Sequence, residues 1–196
     1  MTSDPTLWII ARATGISAYI LLSTAVLAGL VLKTRLLAPR VSPPAAMELH
    51  RTLSFLGLGA IGLHGLALVF DAAVPVPVMA LFVPGVAPYR PLWTGLGVVA
   101  AELMLLVSAS FSVRRLIGVR VWRRLHWSTY AIFALATAHG LATGTDSSRA
   151  WALGIYLGAA GAVAVATAWR ALSPAPSPAR RGAPAARAAP AEARLR

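Results

Sequence analysis

Five apolar stretches occupy most of this chain, at about 7–32, 49–70, 91–116, 121–142 and 150–172. Each has the ~20 residues a helix needs to cross a ~30 Å hydrocarbon layer. In lipid the backbone must satisfy its own hydrogen bonds, so spans outside a closed barrel are helices. Charged residues make up 12% of the sequence, about half the ~25% typical of a soluble domain. The expected fold is an all-α membrane protein, a bundle of five transmembrane helices.

Lysine and arginine set the orientation of such a bundle, because loops rich in them stay on the cytoplasmic side. One face collects Lys33, Arg35, Arg40 and Arg51, then Arg114, Arg115, Arg120, Arg123 and Arg124, then Arg170 and the tail arginines. Of the 18 basic residues, only Arg12, Arg90 and Arg149 fall toward the other face. The N-terminus is therefore expected outside and the C-terminus inside a multi-pass protein of the cytoplasmic membrane. Residues 1–172 form the membrane domain. Residues 173–196 are an Ala/Pro/Arg tail that cannot bury a core and should be disordered. Loop 71–90 is apolar but interrupted by prolines, so an irregular outer cap is expected there and not a sixth span.

Several function classes drop out on composition. The absence of cysteine excludes disulfides, thiolate metal sites and thioether-linked haem. The net charge of +12 lies at span ends and in the tail, with no basic, aromatic-interleaved soluble segment for nucleic acid. Membrane lipid is the expected contact of those arginines. The opening MTSDPTLW has no basic n-region, and the run after it is long enough to span, so a secretory leader is not expected.

All four histidines lie in two of the apolar stretches, as His50 and His64, and as His126 and His139. Ionisable groups inside a bilayer are costly and mark function. The second and fourth spans run in the same direction, so His50 and His126 share an inner depth and His64 and His139 an outer one. Each step covers roughly 20 Å along its helix. Four imidazoles at two depths read as axial ligands of two stacked b-type haems. The fourteen-residue step returns His64 to within about 40° of His50, whereas the thirteen-residue step leaves His126 and His139 about 140° apart on an ideal helix. Local 3₁₀ tightening, tilt or side-chain reach must supply the difference. Gly57, midway and nearly in line, would let a porphyrin approach the backbone. Phe133 would fill the gap between two macrocycles or pack in the core. Ion passage would want carboxylates beside the imidazoles, and only Glu102 lies deep in a span. A single haem and a non-redox packing role remain the alternatives.

The runs LHRTLSFLGLGAIGLHG (49–65) and WRRLHWSTYAIFALATAHG (122–140) carry a family pattern, with Trp122, Leu125, His126 and Tyr130 in a W-x-x-LH-x-x-x-Y arrangement. ARATGISAY in the first span and PYRPLWTGLG before the third share its look. Together these resemble the ferric reductase-like transmembrane domain family. That family includes the membrane parts of ferric reductases and NADPH oxidases, and the haem subunit of a bacterial methionine sulfoxide reductase system. The resemblance covers nearly everything up to about residue 172. It implies haem-ligand roles for His50, His64, His126 and His139. It also implies an oxidoreductase component that passes electrons across the membrane. This chain departs from many members in having five expected spans instead of six, and in lacking a flavin and nicotinamide domain. No G-x-G-x-x-G loop occurs in a strand–helix context, so no FAD or NAD(P) site is expected. A separate flavoprotein or a quinol would donate electrons to an extracytoplasmic acceptor.

Haem propionates need cations. Arg51, Arg123 and Arg124 flank the inner ligands, and Arg12 lies at the depth of the outer ones. Ligating imidazoles usually donate their second N–H to an acceptor, and backbone carbonyls are expected ahead of Ser54 or Thr137. Glu102, near mid-depth, would be neutral, paired with Arg12, or part of a proton path.

Overall fold

A computed structural model describes residues 5–34, 42–72 and 76–173 of the chain. Among these the regular structure is all helical, with no strand. The helices are α1 (Thr6–Thr34), α2 (Pro43–Phe70), α3 (Pro91–Ser112), α4 (Arg114–Ile117), α5 (Val119–His126), α6 (Thr129–Thr143) and α7 (Ala150–Leu172). Four of them, α1, α2, α3 and α7, are long and apolar enough to cross a membrane. The tail expected to be disordered, and Arg35 and Arg40, lie outside the described residues.

Two of the expected spans differ in outline. The third was expected to run through residue 116, but α3 stops at Ser112. After the turn α4, Gly118 takes a positive φ of 81°, a conformation open to glycine at little cost, and redirects the chain into α5. The fourth was expected as one helix over 121–142 and is two. The N–H groups of Trp127, Ser128 and Tyr130 bond to carbonyls three residues back, which is a 3₁₀ turn wedged between α5 and α6. The second span begins earlier than expected, at Pro43. Proline suits the first helical position, and the Ser42 hydroxyl accepts from the Ala45 N–H at 3.4 Å to cap the helix.

α1 is the central helix. Ala11, Ala18 and Ala25 recur every seven residues and are buried, with Tyr19, Leu22 and Leu30 beside them. α2 packs along α1, α6 packs along α3, and α7 closes on α1. One core cluster joins Leu22 to Ala100, Met104, Val107 and Ile132. A second joins Tyr19 to Phe133, Tyr156 and Val163. Large apolar side chains such as Phe55, Leu56, Leu63 and Leu66 of α2 remain outward, as lipid-facing residues do. On α7, Gly154 and Gly158, a small-xxx-small pair, face open space within the chain.

Loop 71–90 has the irregular form expected of it, with a single 3₁₀ turn at Val78–Leu81 in its described part. It folds back on the bundle: Leu81 lies over Gly65 of α2, and Pro84 and Gly85 lie over Gly95 of α3. Its own Ala80 and Ala87 are buried.

Candidate functional site

The histidines meet in two cross-helix pairs. The ring centroids of His50 and His126 are 6.1 Å apart, and those of His64 and His139 are 6.4 Å apart. A metal bonded to two opposed imidazoles at ~2.0 Å per nitrogen places the ring centres about 6.3 Å apart. Both separations sit at that value. α2 and α6 do not pack closely on one another elsewhere along their lengths.

Each imidazole whose anchor is resolved hangs from a neighbouring backbone. His50 Nδ1 lies 2.8 Å from the Ala25 carbonyl oxygen, His64 Nδ1 2.7 Å from that of Ala11, and His139 Nδ1 2.9 Å from that of Trp93. A carbonyl only accepts, so Nδ1 carries the proton in all three. The lone pair is then on Nε2, the free ligand position of the ring. The expectation of carbonyl acceptors holds at these three rings, and neither Ser54 nor Thr137 is used. Ser54 donates to the His50 carbonyl, and Thr137 is bonded to the Phe133 carbonyl and the Tyr19 hydroxyl.

Glycines face these same rings. A Cβ on Gly97 would stand 2.6 Å from His139 Nδ1, one on Gly15 3.0 Å from His64 Nδ1, and one on Gly29 3.4 Å from His50 Cε1. No role for these glycines, or for the carbonyls of Ala11, Ala25 and Trp93, was read from the sequence. A signal was there: Ala11/Gly15 and Ala25/Gly29 repeat at the fourteen-residue step of His50 and His64 on the antiparallel partner helix. Gly57 lies elsewhere, in ordinary contact with Leu21 on α1 and Met104 on α3.

The His50–His126 pair has an aromatic wall. The Trp122 ring lies 5.2 Å from His126 and 6.0 Å from Phe111, and the Arg114 guanidinium covers Phe111 at 3.9 Å. The Trp122 indole N–H is buried and has no acceptor, a condition that native proteins rarely leave without a polar partner. Arg51 bonds Glu48 at 3.2 Å on its own helix. Arg123 and Arg124 are exposed beside His126.

Other expected residues find different company. Arg12 forms an ion pair with Asp146 in the α6–α7 loop. It does not pair with Glu102, which is exposed on α3. Phe133 is buried against Tyr19, with ring centroids 5.9 Å apart and planes nearly parallel. Arg90 has a positive φ of 43° and donates to the Ala142 carbonyl at the end of α6.

Among the described residues no three His, Asp or Glu side chains gather as a metal site. Two imidazoles per level are too few for a bare ion, but suffice for a metal that brings its own equatorial nitrogens. Comparisons with family models, curated proteins and solved structures return no match.

Proposed function

We propose that this chain is a transmembrane electron-transfer subunit with two bis-histidyl b-type haems. His50 and His126 hold the inner haem, and His64 and His139 hold the outer one. The observation that carries this reading is the pair of imidazole separations, each matching one metal between two opposed rings. Three further features of the chain fit the group. Nδ1 is protonated and anchored at His50, His64 and His139, glycines make room for these rings, and the Trp122 N–H waits for an acceptor beside His126.

Bound at these levels, haem supplies a reversible one-electron carrier near each leaflet. The chain does the rest. Two imidazoles per level would hold each haem, and with both ligands supplied by the chain the site would serve electron transfer and not oxygen binding. The carbonyls of Ala11, Ala25 and Trp93 fix the tautomer and raise the basicity of the ligating nitrogens. Arg51, Arg123 and Arg124, close in sequence to the inner histidines, would supply cations for inner propionates. Loop 71–90 covers the outer end, keyed into the glycine next to His64 and into Gly95, two residues before Gly97.

The same pairing supports five crossings, and the distribution of Lys and Arg supports the cytoplasmic membrane with the N-terminus outside. His126 at the end of α5 and His139 on α6 meet α2 at its two histidines, so the α5–α6 segment would run through the bilayer beside α2 although α6 has only 15 residues. Electrons enter from a cytoplasmic flavoprotein or a quinol and leave to an extracytoplasmic acceptor.

The test is the reduced-minus-oxidised spectrum of protein purified after haem-replete expression. A b-type band and two haems per chain are expected, falling to one in His64→Ala or His50→Ala. A protein with no reducible haem band overturns the proposal.

A further inference from the structure

We infer that Gly97, Gly15 and Gly29 are positioning residues for the histidine ligands, acting through the carbonyl four residues before each. This inference rests on the two-haem reading. The three sites share one construction. In each, a helix offers the carbonyl of residue i to an imidazole Nδ1–H, and residue i+4 is glycine: Ala11 with Gly15, Ala25 with Gly29, and Trp93 with Gly97.

Helix geometry explains the pairing. The carbonyl of residue i points along the axis toward residue i+4 and already accepts that residue's N–H. A donor from another helix reaches the oxygen from the side, across the surface where the i+4 side chain would stand. Glycine there opens the approach. The ring then settles with Nδ1 on the carbonyl, which leaves Nε2 as its free ligand position. The seat thus does two things that an ordinary packing glycine does not: it selects the tautomer and it aims the lone pair.

The seats are not equally tight. An added methyl group would lie 2.6 Å from His139 Nδ1, 3.0 Å from His64 Nδ1, and 3.4 Å from the nearest atom of His50. The first overlap forces the ring off its carbonyl. The second demands a shift of a few tenths of an ångström. The third is close to ordinary contact. The effect of alanine must therefore fall in the order Gly97, Gly15, Gly29. Gly158, whose added Cβ would meet nothing within 4 Å, is the control.

The experiment compares Gly97→Ala, Gly15→Ala, Gly29→Ala and Gly158→Ala in the full chain purified from membranes. It reads haem per protein, the midpoint potential of each haem and the ferric electron paramagnetic resonance spectrum. Gly97→Ala is expected to weaken haem retention at the outer level about 10–100-fold, the usual loss when a ligand's outer partner is removed. Gly15→Ala keeps its haem but shifts the potential and low-spin signal of the outer centre alone. Gly29→Ala and Gly158→Ala match the unaltered chain. If Gly97→Ala is not recovered from the membrane, Gly15→Ala decides the matter by its potential and signal. Two haems with unchanged potentials and spectra in Gly97→Ala, or in Gly15→Ala where it decides, overturn the seat. Loss of both haems in equal measure does so too. Absence of haem from the unaltered chain would instead overturn the two-haem reading itself.

Discussion

Arg12 and Asp146 form an ion pair that ties the start of α1 to the loop between α6 and α7. With the carboxylate occupying the guanidinium, Arg12 acts as a structural clasp. Arg12→Gln should therefore lower thermal stability in detergent without moving the haem spectrum. A double-mutant cycle with Asp146→Asn should give a coupling of about 0.5–1 kcal/mol, as partly exposed pairs do; a spectral change in Arg12→Gln alone would return the residue to the haem. Deeper in the bundle, Phe133→Ala empties the stack on Tyr19 and should cost about 3–5 kcal/mol, read as a fall in melting temperature. At this scale the histidines were legible because their spacing is local and their polarity is out of place in an apolar run. The partner of Arg12 was not, since 134 residues separate it from Asp146 and no local pattern joins a span to a distant loop. Gly57 shows the limit of rotational reasoning: it is close to the histidines in helical angle, yet α1 covers it.

The helices themselves followed from apolar length, but their ends and breaks followed from hydrogen bonding that hydropathy does not register. The turn between α5 and α6 matters most. On an ideal helix His126 and His139 would stand about 140° apart. The carbonyls bonded three residues back at Trp127, Ser128 and Tyr130 add roughly 20° per residue over the α-helical rotation. Three or four such residues recover about half of the deficit, and side-chain reach covers the remainder. The need for tightening was readable from the thirteen-residue step; its place was not, because Trp127 and Ser128 carry no strong breaking signal. Inserting one alanine after Ser128 rotates α6 by about 100° against α5. One histidine pair then separates, and haem content should fall from two per chain to one by pyridine haemochrome assay; two retained haems would show that the phase of this turn is immaterial. On α3, Glu102 shares the outward face with Leu105 and Leu106. An acidic group at mid-span facing lipid costs about 2–3 kcal/mol on insertion scales. Glu102→Leu should thus raise membrane yield and leave both haems in place, as quantified by spectra per milligram of protein.

For the whole molecule the question is how many times the chain crosses. Among the described residues four helices reach spanning length, and α6 by itself covers about 22 Å of a ~30 Å layer. The side chains argue for a fifth passage. His126, at the end of α5, meets His50, and His139 on α6 meets His64, so α5 and α6 together follow the middle of α2. At one end, the Arg170 guanidinium lies 5.1 Å from the Trp127 ring, bringing the finish of α7 to the start of α6. At the opposite end, Asp146 meets Arg12 and Ala142 meets Arg90. On a five-crossing path, the arginine-rich α5 segment would serve as the interfacial lead-in that completes the short helix, with the arginines of α4 and α5 on the side that the positive-inside rule favours. Five crossings put Ser112, at the end of α3, and Ser148, in the loop before α7, on opposite faces; four crossings through α1, α2, α3 and α7 put them on the same one. The chain contains no cysteine, so Ser112→Cys and Ser148→Cys can each be labelled without background. In intact cells or right-side-out vesicles, a membrane-impermeant maleimide should modify Ser148→Cys at once and Ser112→Cys only after permeabilisation. Equal labelling of both from one side would remove α6 from the set of spans, and with it the alignment of two histidine pairs across the membrane.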